Sequence, residues 1–139
     1  MSLTITEARD EMSALFQEAW TSTGYAVFWD DIGQPVENDR SPWARLTVRH
    51  ADASQATLAN HAGRRRYRRV GTVFVQLFAP TGEGLSTLDD MAIEAMRAFE
   101  GRTTPGGVWF RDVRLRELGV DGSWQLANVM ADFEYDEVR

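Results

Sequence analysis

The chain has 139 residues, of which 43% are hydrophobic and 11% aromatic, and its 21 acidic and 15 basic side chains give a formal charge of −6. This length and apolar content favour one folded domain over residues 1–139 and exclude a disordered chain. The absence of cysteine excludes disulfides, thiolate metal sites and cysteine nucleophiles. Neither a membrane span nor a secretory signal is apparent in the sequence, so we expect a cytoplasmic protein with no membrane partner.

The first 50 residues are predicted to form one helix and two strands. Thr4 and Glu7 have the spacing of a capping box, and the apolar residues after them recur at helical spacing, which predicts a helix over residues 5–20. A short aromatic and β-branched run predicts a strand at residues 25–29. Residues 43–50 alternate between apolar and polar side chains, which predicts a half-buried strand.

A dense cluster of arginines precedes the third predicted strand. Its members are Arg64, Arg65, Arg66, Arg68 and Arg69. Residues 51–66 lack clear periodicity and are mostly small and polar before the arginines, so we expect a mobile loop there. The strand predicted at residues 67–78 is apolar on both faces beyond its first few residues. Such a strand is central in its sheet, or a partner covers its second face.

The rest of the chain is predicted to form a helix and a hairpin. Ser86 or Thr87 can cap a helix whose apolar stripe ends before Gly101. Two long strands follow, at residues 108–118 and 123–138. The order of helix, three strands, helix and two strands predicts an α+β fold, with two main helices on one face of a largely antiparallel or mixed sheet of about five strands.

Two details of the hairpin follow from its sequence. Asp121 and Gly122 suit a type I′ turn, in which both central residues need a positive φ. In the last strand, the apolar residues from Ala127 onwards have one parity, whereas Trp124 and Leu126 have the other. The change of parity predicts either a bulge near Asn128 or a strand that is covered on both faces.

No catalytic apparatus is apparent in the sequence. His50 and His61 are the only histidines, and no spaced carboxylate completes a metal site with them. The segment Gly82–Gly84 lies between a strand and a helix, but no Lys-Ser/Thr pair follows to make a phosphate-binding loop. No Gly-x-Ser-x-Gly elbow is present either. We therefore expect neither an enzyme nor a cofactor.

The arginine cluster has three interpretations. It can be a solvated strand end, or it can bind nucleic acid through phosphates with Tyr67 stacking on a base. The remaining side chains sum to −11, which opposes nucleic-acid binding. In the third interpretation, the arginines bind carboxylates of another copy or another protein, which uses both halves of the charge asymmetry. Four tryptophans that exceed what one core needs also favour association. They are Trp29, Trp43, Trp109 and Trp124.

The chain resembles the tail terminator, or tail completion, proteins of long-tailed bacteriophages, and is similar to the lambda tail terminator. The resemblance runs over nearly the whole chain and rests on the order and spacing of short segments. They are Gly71–Gly84, the end of the second helix at Phe99–Gly101, Val108–Phe110, Gly122–Gln125 and the closing Phe133–Asp136.

The resemblance implies a small α+β structural subunit of a phage or prophage that forms a ring, of six copies, on the end of the tail tube. The ring stops tube polymerisation and offers a docking surface to the head. The implied partners are other copies, the tail tube protein and a head-tail connector protein, while DNA passes through the ring without specific binding. The implied location is the host cytoplasm during assembly and then the head-proximal end of the virion tail. We predict that a subunit or tail-tube interface contains Arg64, Arg65, Arg66, Arg68, Arg69, Trp43 and Trp109.

Two alternatives stay open at this stage. One is a head-tail connector or neck protein, which also forms rings of small subunits. The other is a small nucleic-acid-binding module that uses the arginine cluster.

Overall fold

The protein has an α+β fold with two helices and one mixed five-stranded sheet, as predicted. The computed structural model describes residues 3–29, 41–55, 66–82 and 84–138. The elements are α1 (Ile5–Trp20), a 3₁₀ turn (Thr21–Thr23), β1 (Ala26–Trp29), β2 (Trp43–Gln55), β3 (Arg66–Pro80), α2 (Ser86–Phe99), β4 (Trp109–Asp121) and β5 (Trp124–Val138). The strand order is β1-β2-β3-β5-β4; β1 runs parallel to β2, and the other neighbours are antiparallel.

Helix α1 begins with the predicted capping box. The Glu7 backbone N–H donates to the Thr4 hydroxyl at 3.2 Å, and the Thr4 backbone N–H donates to Glu7 Oε1 at 2.9 Å. The hydrogen bonds from Thr4, the backbone one first, lower the pKa of Glu7. The box satisfies two of the backbone donors that a helix start leaves without intrahelical partners, so this short motif fixes where α1 begins.

Both helices pack on one face of the sheet, and the hydrophobic core lies between the helices and the sheet. Alternate side chains of β2, β3 and β5 are buried there, which is the period expected of a strand with one face on a core. They are Ala44, Leu46, Val48, Val73, Val75, Leu77, Ala79, Ala127, Val129, Ala131, Phe133 and Tyr135. Phe16 of α1 stacks on Phe99 of α2 with ring centroids 5.9 Å apart, which joins the two helices in one layer.

The start of α2 differs from the prediction. Its N-cap residue is Leu85, with no side-chain hydrogen bond to the helix, so neither Ser86 nor Thr87 caps it. Asp89 in the first turn provides a favourable charge for the positive end of the helix dipole. The six buried residues of α2 show that core packing, rather than a cap, stabilises this helix.

The hairpin turn also differs from the prediction. Asp121 pairs with Trp124, so the two central residues are Gly122 and Ser123, one position later than expected. Gly122 has a φ of +61°, whereas Ser123 is not among the described residues with positive φ. A single positive φ at the first central position fits a type II′ turn, and the predicted type I′ turn is wrong.

The strand bounds and registers correct three further expectations. Strand β2 extends to Gln55, so the first five residues of the predicted loop belong to a strand, and Arg66 begins β3. Residues 56–65 lie outside the described part of the chain. Strand β5 pairs with β3 without any shift, so the bulge considered near Asn128 is absent from this pairing. The shifts between β4 and β5 lie at 111/114 and 117/119, each with the extra residue on β4.

Candidate interaction surface

The second sheet face is the face that points away from α1 and α2. It carries the side chains of alternate residues on β2, β3, β5 and β4, which the cross-strand register places in rows. One row is Arg45, Gln76, Asn128 and Arg116; the next is Thr47, Phe74, Met130 and Arg114; the third is Arg49, Thr72, Asp132 and Arg111. Arginines therefore occupy β2 and β4, the first and last of these four strands, and a mixed apolar and polar strip lies between them; β1 lies beyond β2, where Phe28 pairs with Arg45.

We call these three rows the arginine-bordered platform. Four adjacent strands span about 14 Å, and the three rows span about 13 Å along the strands. At the centre, Phe74 and Met130 are half-buried. Asp132 accepts a hydrogen bond from the Thr72 hydroxyl at 2.9 Å and binds Arg114 at 3.3 Å. Among the described residues, the three rows thus contain five arginines and one carboxylate.

Charge is divided between the two sides of the molecule. The second sheet face runs from the row that contains Arg45 at one end to Arg66 at the other. Its described side chains include seven arginines and three carboxylates. They are Arg45, Arg49, Arg66, Arg68, Arg111, Arg114, Arg116, Asp132, Glu134 and Asp136. Helices α1 and α2 on the other side carry seven carboxylates and two arginines: Glu7, Asp10, Glu11, Glu18, Asp89, Asp90, Glu94, Arg9 and Arg97. Among the described residues, positive charge thus predominates on the second sheet face and negative charge on the helices.

The described members of the arginine cluster pair with carboxylates of β5 in the same chain. Arg66 Nε lies 3.6 Å from Asp136, and Arg68 Nε lies 3.5 Å from Glu134. Both arginine side chains are about half exposed, at 53% and 49%, so each pair contributes at most about 1 kcal/mol to stability. Arg64 and Arg65 lie outside the described residues.

Arg69 occupies a different environment from its neighbours. It has the parity of the helix-facing side chains and binds Glu137 through two of its nitrogens, at 3.0 and 3.2 Å. Both side chains are largely sheltered, with 18% and 14% exposed. The structure therefore separates Arg66 and Arg68, on the second sheet face, from Arg69, although all three are close in sequence.

The two tryptophans predicted at an interface also differ in exposure. Trp43 is 8% exposed because it stacks on Phe78 with centroids 3.7 Å apart and meets the edge of Trp124. Trp109 is 41% exposed, and the Arg111 guanidinium lies 5.9 Å from its ring centroid. Trp109 is thus accessible on the second sheet face, whereas Trp43 contributes to packing within the chain.

A polar cluster lies where β2, β3 and β5 meet α1. His50 Nε2 and the Tyr135 hydroxyl are 2.7 Å apart, and Arg9 donates to the Val48 carbonyl oxygen at 2.6 Å. Burial first, then the charges of Arg9 and Arg69, lowers the pKa of His50. Burial is also the main cause that raises the pKa of Tyr135 to about 12. Both groups therefore stay neutral near pH 7.

The described residues offer little for catalysis or metal binding. Within residues 3–29, 41–55, 66–82 and 84–138, no group of three or more His, Cys, Asp or Glu side chains could hold a metal ion. A pocket of about 240 Å³ beside α2 is lined by Ser22, Thr23, Tyr25, Asp90, Met91 and Glu94. Its lining holds no histidine, lysine or arginine that could act with a hydroxyl as a nucleophile and base pair. None of the helices described has the length and apolar character that a membrane crossing needs.

Sequence reasoning identified the clustered arginines but missed the platform. The missed residues are Arg45, Arg49, Arg111, Arg114 and Arg116. A signal was available in part, because Arg45 and Arg49 share one strand parity, as do Arg114 and Arg116. The order of the strands, which brings the two pairs to opposite borders of one surface, could not be read from that spacing.

Comparison with known proteins identifies the family. Residues 8–110 match the family described as phage tail terminator protein. This match covers most of the chain, and the chain belongs to that family. No curated protein sequence matches the chain.

Two solved structures share the fold. One, a protein of unstated function, aligns with a TM-score of 0.61 at 18% identity, over 91% of this chain and 94% of that chain. The other is a chain from the virion of a native gene transfer agent particle, with a TM-score of 0.54 at 14% identity, over 90% of this chain and 93% of that chain. At these identities the likeness concerns the fold. The family match assigns the chain a structural role in completing a phage tail.

Proposed function

We propose that the chain caps the end of the phage tail tube as a ring of identical subunits, six as the resemblance implies. In this role it stops polymerisation of the tube protein and presents a surface to which the head, through a connector protein, docks. The proposal refines the tail-completion role of the family. It places the protein at the head-proximal end of the tail, with DNA passing through the ring.

The observation that carries the proposal is the separation of charge between the two sides of the sheet. Among the described residues, seven carboxylates and two arginines lie on the helices, and seven arginines and three carboxylates lie on the second sheet face. A subunit with different, complementary surfaces on opposite sides associates head to tail, and a head-to-tail contact whose rotation closes makes a ring. In a two-fold dimer, both subunits use the same self-complementary patch, so opposite charges on the two sides of the subunit would not be needed.

We also propose that the arginine cluster and the predicted tryptophans contact an adjacent subunit or the tube protein. Arg66, Arg68 and Trp109 support this best, because all three are accessible on the second sheet face. Arg69 and Trp43 are mostly sheltered by contacts within the chain, so they would act mainly by holding their neighbours in place. Arg64 and Arg65 stay predictions from the sequence.

Charge reversal of the two accessible arginines tests the proposed contact. Arg66→Glu combined with Arg68→Glu should abolish capping of purified tail tubes, because both residues would then repel carboxylates that they now attract. The measurement is tube length by electron microscopy after the protein is added to polymerising tube protein. Thermal unfolding of the variant is measured in parallel, since the reversal also places like charges beside Asp136 and Glu134.

The control for this experiment is Arg102→Glu, which reverses an exposed arginine in the loop after α2. We expect it to cap like the wild type. Normal capping by the folded double variant would contradict the assignment of Arg66 and Arg68 to the interface.

The basic second sheet face also supports a second candidate, a nucleic-acid-binding module. Exposed Trp109 beside Arg111 could stack on a base while arginines contact phosphates. Three carboxylates on the same face oppose this function. A titration with single-stranded DNA at two salt concentrations decides the matter, because phosphate contacts predict a steep loss of affinity with salt.

A further inference from the structure

Helix α2 presents an apolar pair with an acidic flank to the outside of the molecule. Leu85, its N-cap residue, and Ile93 are 47% and 41% exposed, although both side chains are large and apolar. Asp89, Asp90 and Glu94 lie near them on the same helix. Eight helical residues span about 12 Å, so the apolar pair makes a short stripe with Asp89 between its two members. Asp90 and Glu94 border this stripe on one flank, where Arg97 pairs with Glu94 at 3.6 Å, and buried residues of α2 lie on its other flank.

The arginine-bordered platform has the complementary pattern. Its centre is apolar at Phe74 and Met130, and arginines line both long edges. The platform is about 14 Å wide, which admits a helix of about 10–12 Å diameter between the two borders. Its length of about 13 Å matches the stripe on α2, so apolar groups can meet at the centre while Asp90 and Glu94 face the arginines of one border.

The two surfaces cannot meet within one chain. Helix α2 packs against β3, β4 and β5 on the helix side of the sheet, whereas the platform is formed on the other side by β2, β3, β4 and β5. The thickness of the sheet separates them. A second copy of the chain supplies the missing partner. When α2 of one subunit contacts the platform of another, the platform of the first subunit and α2 of the second remain available for further copies.

We propose that α2 of one subunit docks on the arginine-bordered platform of the next, and that repetition of this contact builds the ring. The inference rests on the proposed ring function and specifies the surface that makes it. The occupant of the platform is another copy of this chain, recognised by Leu85 and Ile93 together with Asp89, Asp90 and Glu94.

The size of the platform sets the strength of the contact. A surface of about 14 by 13 Å is far smaller than the roughly 800 Å² that each partner buries in a standard interface. The α2 contact alone is therefore weak, and it becomes stable only when many copies assemble together. A covalent trap detects such a contact better than a measurement of equilibrium mass.

Engineered cysteines provide that trap, because the natural chain has no cysteine. A variant with Ile93→Cys and Met130→Cys carries one thiol on α2 and one at the centre of the platform, on opposite sides of the sheet. Mild oxidation should convert it into a ladder of disulfide-linked oligomers on a non-reducing gel. Mixing the two single-cysteine variants should give mainly dimers, because each has only one of the two surfaces labelled.

Two controls separate a specific contact from random collision. The pair Ile5→Cys and Met130→Cys replaces the α2 thiol by one on α1 that is equally exposed, and it should give little ladder. Adding Asp89→Arg and Asp90→Arg to the first pair should remove the ladder, whereas Asp10→Arg and Glu18→Arg on α1 should leave it. Equal ladders from both cysteine pairs, or none from the α2 pair, would overturn the proposal.

The same proteins distinguish failure of this surface from failure of the ring function. Tube capping is measured in parallel with the reduced proteins. If the Asp89→Arg and Asp90→Arg variant caps tubes normally while remaining folded, the surface is wrong and capping stands. If the α2 ladder forms but the wild-type protein leaves tube length unchanged, the contact is right and the capping role is wrong.

Discussion

Single residues decide how tightly this sheet packs. Gly71 of β3 lies opposite His50 on β2 and Phe133 on β5. A Cβ at this position would run into the Arg49 carbonyl oxygen and approach Phe133 Cζ to 2.5 Å. Because a backbone atom is one of the obstacles, a change of side-chain rotamer cannot relieve the clash. Position 71 therefore has room for glycine but not for a residue with a side chain.

Gly71→Ala should lower the free energy of unfolding by about 3 kcal/mol or more, at the upper end of what overpacking costs. Urea unfolding of the wild type and the variant measures the loss. Gly119→Ala is the control, because its Cβ would meet no atom within 4 Å. The only cost of this substitution is the backbone strain of a φ of +87°. We expect that control to cost about 1–2 kcal/mol. A smaller loss for Gly71→Ala than for Gly119→Ala would contradict the packing described.

His50 gives the stability a dependence on pH. Its pKa in the folded protein lies below the ordinary value of 6.5, because burial, Arg9 and Arg69 all oppose the imidazolium. The unfolded chain binds more protons at His50 than the folded chain between these two pKa values. The free energy of unfolding that neutral His50 contributes is thus fully present above 6.5 and is lost as the pH falls below it.

His50→Gln should therefore lose less stability than the wild type when the pH is lowered from about 7.5 to about 5. The measurement is the midpoint of urea unfolding at each pH. Identical losses in His50→Gln and the wild type would mean that His50 titrates in the folded protein as it does in the unfolded chain.

At the level of elements, local signals predicted most of the fold. The capping box at Thr4 and Glu7 and the apolar stripe of α2 fixed both helices, since helix periodicity and capping are encoded by near neighbours. The alternation along β2 and β5 likewise identified which side chains face the core. These predictions needed no knowledge of what each element packs against.

Features that depend on contacts between distant segments could not be predicted from the sequence. The hairpin turn lies one residue later than predicted, because the pairing of Asp121 with Trp124 sets its position. Strand β2 continued to Gln55 because β3 offers it partners as far as Tyr67. The platform likewise depends on the order β2-β3-β5-β4, which places arginines of β2 and β4 on opposite borders. Strand order is a tertiary property, so spacing along the chain could not reveal it.

For the whole molecule, the net charge of −6 conceals two opposed surfaces. The helices are acidic, and the second sheet face is basic, with Trp109 accessible on it. The three described arginines of the cluster bind carboxylates of β5, so the folded subunit already neutralises part of its charge. Among the described residues of the platform, arginines outnumber carboxylates, and we propose that a neighbouring subunit meets this surface.

The length of tails assembled without this protein tests the central claim most directly. A phage or prophage that lacks the gene is induced, and its particles are examined by electron microscopy beside particles complemented with the wild-type chain. A subunit that caps the tube and stops its growth predicts overlong tails in its absence and tails of normal length when it is restored. Tails of normal length that merely lack heads would contradict the claim and indicate a connector instead.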